Sequence, residues 1–237
     1  MKRRLMLARL ALVLVSCAVA ATAHAVLPTA DKPIRTLYLI RHGEYVHDDK
    51  CDEYTGCELD SLGREQAALV AARLKTMPIT FSSLQCSPMT RARQTADIIA
   101  RSFPDLTPVR HDDIHECTPT THRQDIMDGL KPGEADSCDA QLQVAAARLL
   151  VPATAGHDEH DIVVCHGNVI RWMVCRVLGV DPQAWLQMSI ANCSVTIIQV
   201  RADGACKLIS FADSGHIPWE RTTYPGVTIK PQDRVVR

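Results

Sequence analysis

The sequence is poor in aromatic residues, which make up 4% of its 237 positions. Proteins that hold single-stranded nucleic acid stack its bases on aromatic rings, so this scarcity argues against such a role. The chain also lacks a strong net charge, because 26 basic residues are nearly matched by 27 acidic ones. No overall field would therefore draw the protein to DNA or to an anionic membrane.

The chain has no C-x-x-C pair, which removes the usual zinc and thioredoxin-type motifs. Ten cysteines are nevertheless many for a reducing compartment. Cys51 and Cys57 share one polar loop and Cys117 and Cys138 bracket another, so these two pairs are the disulfide candidates. Two further cysteines lie in apolar, strand-like runs and are expected to be buried thiols: Cys86 and Cys165.

Residues 1–25 have the pattern of an export signal. Basic residues (Lys2, Arg3 and Arg4) precede a mostly apolar run from Leu5 to Ala21, and Ala23-His24-Ala25 supplies a small-x-small cleavage site. Cleavage would remove four basic residues and no acidic one, which leaves 22 basic and 27 acidic residues. The pattern therefore predicts an exported, periplasmic protein, with residues 26–34 as a short linker.

Two alternatives to cleavage remain open. Leu14-Val15-Ser16-Cys17 resembles a bacterial lipobox, which would make Cys17 a lipidated N-terminus. An uncleaved apolar stretch of roughly 17 residues could also serve as a membrane anchor. Only in these two cases would the protein be attached to a membrane.

Strand-like and helical segments alternate along residues 35–237, which predicts a single α/β domain. The expected strands are residues 36–40, 79–87, 109–114 and 161–165, followed by a hairpin of 194–201 and 206–211 around Asp203-Gly204. The expected helices are residues 61–76, 89–103, 139–150 and 168–178, with a short helix after Asp181-Pro182. These elements favour a three-layer α/β/α sandwich with a central, mostly parallel sheet, and residues 117–136 are expected to form a loop or lid.

Polar side chains follow three of the predicted strands. Arg41 and His42 end the first, Arg91 lies in the first helical turn after the second, and His166 and Gly167 follow the strand at 161–165. Ligands bind at the carboxyl ends of strands in open α/β sheets, and helix N-termini favour anions. The helix dipole disfavours an arginine at such an N-terminus, so Arg91 indicates that something negative binds there.

Two arginines and two histidines at one sheet edge suit a phosphoryl group. Arginine binds its oxygens bidentately and stabilises the charge of its transition state, and a histidine can accept the phosphoryl group as a nucleophile. A carboxyl must then protonate the leaving alkoxide and later deprotonate water, and Glu116 is the best placed candidate. Glu44 and Asn168 are expected close to the pocket. Histidines near residues 111–115 and 157–160 are interpreted as surface groups, so no metal site is predicted.

Four motifs together resemble the histidine phosphatase superfamily, in its phosphoglycerate-mutase-like branch: Leu39-Ile40-Arg41-His42-Gly43-Glu44, residues 59–67, residues 87–96 and Cys165-His166-Gly167-Asn168. The resemblance covers nearly all of residues 36–216. It implies a phosphoglycerate-mutase-like fold, phosphorylation of His42, phosphate binding by Arg41, Arg91 and His166, and Glu116 as proton donor. It also implies that no metal or organic cofactor is needed.

Further residues resemble the Ser/Thr protein phosphatases of this superfamily: residues 165–171, Cys175-Arg176, Ala184-Trp185-Leu186, Ser194-Val195-Thr196 and Asp213-Ser214-Gly215. The expected function is hydrolysis of phosphomonoesters, with phosphoserine and phosphothreonine proteins among the substrates. A homodimer is plausible for the family. The alternatives are a phosphatase for cell-envelope sugar phosphates and a non-catalytic phosphate-binding module, whereas mutase activity is not expected because the chain has no room for an additional substrate segment.

Overall fold

The computed structural model describes residues 32–227. The predicted export signal, the lipobox at Cys17, the alternative anchor and most of the predicted linker lie outside the described residues. Within residues 32–227, no helix is both long enough and apolar enough to cross a membrane.

A six-stranded mixed sheet forms the middle layer, in the order β3-β2-β4-β1-β5-β6. Its strands are β1 (Arg35–Arg41), β2 (Ser83–Cys86), β3 (Pro108–Arg110), β4 (Glu159–Cys165), β5 (Val195–Val200) and β6 (Cys206–Asp213). Strands β3, β2, β4 and β1 run parallel, while β5 is antiparallel to β1 and β6 is antiparallel to β5. The expected closing hairpin is therefore present.

Helices cover both faces of this sheet. They are α1 (Ser61–Lys75), α2 (Thr90–Ala100), α3 (Gln124–Met127), α4 (Glu134–Leu149) and α5 (Gly167–Leu178), with 3-10 turns at Asp112–Ile114, Pro182–Gln187 and Trp219–Arg221. One buried cluster joins α1 and α2 to one face of the strands, and a second joins α4 and α5 to the other face. The predicted three-layer α/β/α sandwich is confirmed.

Several element boundaries differ from those predicted. Strand β2 covers only the end of the expected 79–87 segment, because only Ser83–Cys86 pairs with β4. The expected strand at 109–114 divides into β3 and a 3-10 turn. Part of the expected loop at 117–136 is helical, since α3 lies inside it and α4 begins at Glu134, directly after Gly133 at φ 77°.

Both disulfide predictions are confirmed. Cys51 bonds to Cys57 and Cys117 bonds to Cys138, with Cα–Cα distances of 5.3 and 5.6 Å. The thiols predicted to be buried, Cys86 and Cys165, are buried. One link therefore closes a surface loop, and the other attaches the segment after residue 116 to α4.

Strand register brings the predicted histidines to one edge of the sheet. Arg41 of β1 pairs with Cys165 of β4, and the N–H of His42 donates to the carbonyl of Cys165 over 3.0 Å. His42 and His166 are the next residues on the two strands and therefore lie side by side. Their ring centroids are 5.1 Å apart.

Candidate active site

His42 is buried, with 2% of its surface exposed, and both of its ring nitrogens have partners. Nδ1 lies 2.7 Å from the carbonyl oxygen of Gly43, to which it can only donate. Nε2 receives a hydrogen bond from Nε of Arg91 over 3.1 Å, so Nε2 carries the lone pair. Burial, followed by the charges of Arg91 and Arg41, holds the pKa of His42 well below its usual 6.5. The imidazole is therefore neutral and presents Nε2 as a potential nucleophile.

Arg91 lies in the first turn of α2, as the sequence predicted, and is 7% exposed. Its guanidinium lies over the ring of Tyr45, 4.7 Å from the centroid. The loop closed by the Cys51–Cys57 disulfide passes directly over this group, since a Cβ on Gly56 would come within 2.5 Å of Nη1 of Arg91. Arg91 is thus held between His42, the ring of Tyr45 and Gly56. A larger residue at position 56 would displace the guanidinium of Arg91.

His166 is fully buried beside His42. Its Nε2 lies 2.7 Å from Oγ of Ser87, which also accepts a hydrogen bond from the N–H of Met89. The Ser87 hydroxyl can donate its hydrogen to Nε2, and in that imidazole form the ring hydrogen lies on Nδ1. Within residues 32–227, Nδ1 has no hydrogen-bond partner. A buried N–H donor without a partner is suited to an oxygen of a bound anion.

Arg41 ends β1 and donates from Nη1 to the carbonyl oxygen of Ile190 over 2.7 Å. Its Nε is buried and has no partner among the described residues. A Cβ on Gly167 would lie 3.5 Å from Nε and Cζ of Arg41, an ordinary contact, so Gly167 brings the start of α5 against the guanidinium. A second unpaired donor therefore lies at the same edge as His166 Nδ1.

Glu116 lies on the other side of His166, with Oε2 4.0 Å from Nδ1. Oε1 accepts the N–H of Asn168 over 3.4 Å, whereas Oε2 is buried and unpaired within the described part of the chain. Burial raises the pKa of Glu116, and the charges of Arg41, Arg91 and Arg171 oppose the rise. A carboxyl whose pKa lies above 4.5 retains its proton more readily, as a proton donor must.

Asn168 is the second residue of α5 and connects Glu116 to its surroundings. Its side-chain Nδ2 donates to the carbonyl oxygen of Cys117 over 2.8 Å, and its Oδ1 accepts from Arg171 over 2.6 Å. Arg171 in turn lies over the ring of Trp185, 4.7 Å from the centroid. These contacts of Asn168 hold the segment that contains Glu116.

Glu44 supports the loop after His42, and its negative charge acts on Arg41 by raising the pKa of that guanidinium against the lowering caused by burial. Its N–H donates to Oε1 of Gln66 over 2.9 Å, and its carboxylate contacts His47 and the N–H of Tyr45. The loop lies against α1 so closely that a Cβ on Gly63 would come within 1.8 Å of the carbonyl oxygen of Glu44. Gly63 is therefore required by this backbone contact.

Three residues at the site were absent from the predicted set: Tyr45, Ser87 and Asn192. Asn192 donates from Nδ2 to the carbonyl oxygen of His42 over 3.0 Å, although the two residues are 150 positions apart. Ser87 directly precedes the Pro88-Met89-Thr90-Arg91 junction, and its place at a strand end was a usable signal. Asn192 and Tyr45 gave no such signal, because neither ends a strand or begins a helix.

A surface pocket of about 260 Å³ opens beside Arg91 and Tyr45. Most of its remaining wall comes from residues 46–57, and this part includes four acidic side chains: Asp48, Asp49, Asp52 and Glu53. Among residues 32–227, no cluster of three or more His, Cys, Asp or Glu side chains is arranged to hold a metal ion.

The described layers and strand order define a phosphoglycerate-mutase-like α/β fold. The chain superposes on the phosphoglycerate mutase of Plasmodium falciparum with a TM-score of 0.56 and 25% sequence identity, covering 81% of this chain and 99% of that one. A family model described as histidine phosphatase superfamily (branch 1) matches residues 37–213. The chain belongs to the histidine phosphatase superfamily, as the motifs around His42 and His166 predicted.

Two curated relatives share one name, serine/threonine-protein phosphatase PGAM5, mitochondrial. The Caenorhabditis elegans protein is 36% identical over 195 residues, which cover 80% of this chain and 66% of that protein. The human protein is 34% identical over 196 residues, which cover 81% of this chain and 67% of that protein. The chain thus spans about two thirds of the length of the curated relatives that it matches.

Proposed function

We propose that the protein is a phosphomonoesterase that transfers a phosphoryl group to Nε2 of His42 and then to water. The observation that carries this proposal is the hydrogen bonding of His42, whose Nδ1 is held by Gly43 and whose Nε2 keeps its lone pair. An uncharged imidazole in a fixed orientation is the form that attacks phosphorus. The name of the PGAM5 relatives supports the same reaction.

Phosphate binding is assigned to the donors that lack partners. Nε of Arg41 and Nδ1 of His166 are buried and unpaired among the described residues, and Arg91 lies directly over Nε2 of His42. The start of α5 at Gly167 adds the positive end of a helix dipole. These groups would stabilise the charge of the phosphoryl oxygens as it changes during transfer.

In the first step, the bond between phosphorus and the ester oxygen breaks while a bond between phosphorus and Nε2 of His42 forms. The leaving alkoxide takes the proton of Glu116. In the second step, the Glu116 carboxylate accepts a proton from water, whose oxygen attacks phosphorus. The P–N bond breaks, its electron pair returns to Nε2, and phosphate leaves with His42 and Glu116 restored.

The proposed substrates are phosphoserine and phosphothreonine proteins, and the proposed reaction needs no metal ion. The substrate class follows from the relatives' name and from the open pocket beside Arg91. The acidic wall of that pocket disfavours substrates with a second phosphate nearby, which also weighs against mutase activity on bisphosphates. Cell-envelope sugar phosphates remain the second candidate, and the acidic wall gives them no particular support.

Location in an exported, oxidising compartment is part of the proposal. Two disulfides among residues 32–227 support it, because such bonds rarely persist in a reducing cytosol. The PGAM5 relatives are named as mitochondrial proteins. The mass of the protein recovered from a periplasmic fraction, compared between wild type and Cys17→Ser, would distinguish cleavage after Ala25 from lipidation and from an uncleaved anchor.

The activity test uses the purified protein with EDTA present. Hydrolysis of p-nitrophenyl phosphate, a panel of phosphoserine and phosphothreonine peptides, and a panel of phosphosugars would be compared between wild type and His42→Ala. We expect turnover in EDTA that the substitution abolishes, with the peptides turned over faster than the sugars. The exposed His157 provides a matched control, since His157→Ala should keep full activity.

A labelling experiment identifies the intermediate. Wild type quenched in alkali during turnover of a ³²P-labelled ester should carry acid-labile label, and His42→Ala should carry none. Label retained in the variant would contradict the assignment to His42. Tight phosphate binding without turnover of any substrate would instead support the non-catalytic alternative.

A further inference from the structure

Glu116 belongs to no helix or strand of its own. It lies between the 3-10 turn at Asp112–Ile114 and the irregular segment before α3. A proton donor must stay within hydrogen-bond reach of the leaving oxygen, so a residue in an irregular segment needs external support. The contacts of its neighbours identify where that support comes from.

The residue after Glu116 is covalently attached to α4. Cys117 is bonded to Cys138, which is buried in the second turn of that helix. The carbonyl oxygen of Cys117 also accepts the hydrogen bond from Asn168. The position of residue 117 is therefore fixed from two helices, by a bond from α4 and a hydrogen bond from α5.

The residue before Glu116 is attached to the same helix. Gln141 lies one turn beyond Cys138, and its Nε2 donates to the carbonyl oxygens of His115 over 2.9 Å and Asp113 over 3.3 Å. Arg148, two further turns along α4, forms a two-point ion pair with Asp113 at 2.6 and 2.7 Å. The backbone on both sides of Glu116 is thus bound by a single face of α4.

We propose that α4 positions the proton donor, with the Cys117–Cys138 disulfide and Gln141 as positioning residues that hold Glu116 towards the leaving group. The inference rests on the proposed function of Glu116. It makes the phosphatase sensitive to the oxidation state of one disulfide, because reduction would release residue 117 from α4 while leaving His42 and the phosphate-binding donors in place.

The leaving group distinguishes positioning of the acid from general damage. An alkyl phosphate expels a strongly basic alkoxide that needs the proton of Glu116, whereas 2,4-dinitrophenyl phosphate expels a weakly basic phenoxide that does not. A displaced Glu116 should therefore lower kcat/KM for the alkyl ester only. The relevant quantity is kcat/KM, since it reports the steps up to transfer to His42 and excludes the later attack of water.

The first variant is the double substitution Cys117→Ser/Cys138→Ser. We expect kcat/KM for a phosphoserine peptide to fall at least about tenfold, which is part of the 10²–10⁴-fold that general acid catalysis supplies in full. For 2,4-dinitrophenyl phosphate we expect a change of less than about twofold, because no general acid is needed. Cys51→Ser/Cys57→Ser removes the other disulfide and should change both substrates by equal factors.

A second variant keeps both disulfides and avoids loss of folding. Gln141→Leu has a similar volume and removes only the donor to residues 113 and 115, so the same selective loss on the alkyl ester is expected. Gln143 lies on the exposed side of α4, and Gln143→Leu is the matched control that should leave both rates unchanged. Thermal unfolding of every variant would be recorded alongside.

Equal losses on both substrates in the Gln141 variant, or no loss on either, would overturn the proposal. Its failure is distinguishable from failure of the proposed function. If wild type hydrolyses neither ester, or if His42→Ala retains activity, the phosphohistidine reaction is wrong. If those two results hold and the selectivity for the alkyl ester is absent, only the role of α4 is wrong.

Discussion

Arg91 donates its Nε hydrogen to Nε2 of His42 across 3.1 Å, so in this structure the arginine occupies the lone pair that the proposed reaction requires. The contact has two effects. It selects the imidazole form with hydrogen on Nδ1, and it keeps the guanidinium close to the position of a phosphoryl group on Nε2. The proposed reaction then requires Nε of Arg91 to exchange its nitrogen acceptor for a phosphoryl oxygen.

Replacement of Arg91 by lysine should test this exchange. Lysine keeps the charge but loses the planar fork and its packing over Tyr45, so we expect kcat/KM to fall roughly five- to 150-fold, which corresponds to about 1–3 kcal/mol. The matched control is Arg101→Lys, since Arg101 is exposed after the end of α2. Steady-state kinetics with p-nitrophenyl phosphate would measure both, and an Arg91 variant with wild-type kcat/KM would contradict the assignment.

Glu116→Gln should remove the proton donor. We expect kcat/KM for a phosphoserine peptide to fall by about 10²–10⁴-fold and that for 2,4-dinitrophenyl phosphate to change little. Because burial raises the pKa of Glu116, wild-type activity on the peptide should persist above pH 4.5 and decline as the pH rises through that raised value. The pH profile of kcat/KM should lose this alkaline decline in the variant, and retention of the decline would assign it to another group.

Ser87→Ala should release the ring of His166. The substitution leaves Nε2 of a fully buried imidazole without its 2.7 Å partner, at a cost of about 1–3 kcal/mol in unfolding free energy. The hydrogen can then move to Nε2, which turns a lone pair towards the phosphate and should lower kcat/KM about tenfold. Ser137→Ala, on the exposed face of α4, is the control. Unchanged kcat/KM in Ser87→Ala would contradict the assigned imidazole form.

The pH dependence of stability should reveal the buried neutral histidines. Burial holds the pKa of His42 and of His166 well below 6.5, so the unfolded chain binds protons at pH values where these folded side chains do not. Stability should therefore fall as the pH drops below 6.5, by up to about 1.4 kcal/mol per pH unit for each histidine. The raised pKa of Glu116 acts in the opposite direction, since it favours the folded state below that value.

Urea unfolding between pH 7 and 5.5 would measure this slope in wild type and in His166→Gln. We expect the variant to lose one histidine's share of the slope, about 0.8 kcal/mol per pH unit averaged over this range. Identical slopes in the two proteins would show that the pKa of His166 is not lowered by folding.

The sequence alone predicted that four side chains would lie near one another: Arg41, His42, Arg91 and His166. Each lies at or after the end of a strand, and parallel strands end at the same edge of a sheet. The sequence was less informative about Glu116, whose predicted strand divides into β3 and a turn. Contacts that depend on tertiary structure could not be read from local patterns. Asn192 donates to the carbonyl of His42 from a segment in which Cys193 has a positive φ of 52°, and the residue types there do not predict that conformation.

The start of α4 was predictable in principle. Gly133 followed by acidic residues in the first turn is a common helix start, but the segment 117–136 was interpreted as a loop because of its prolines and glycines. The error matters for function, since the omitted first turns contain Cys138. The role proposed for α4 becomes visible only when the disulfide and Gln141 are seen on the same face.

Residues 221–223 complete the pocket of a histidine that was synthesised some 180 positions earlier. Gln66 donates to the carbonyl of Arg221 and to the Thr223 hydroxyl, and the same Thr223 hydroxyl donates to Asn192, which holds the carbonyl of His42. During synthesis of the chain, His42 is therefore present long before the residues that complete its surroundings. Removal of residues 221–223 would take hydrogen-bond partners away from Gln66 and Asn192 while leaving His42 itself in the chain.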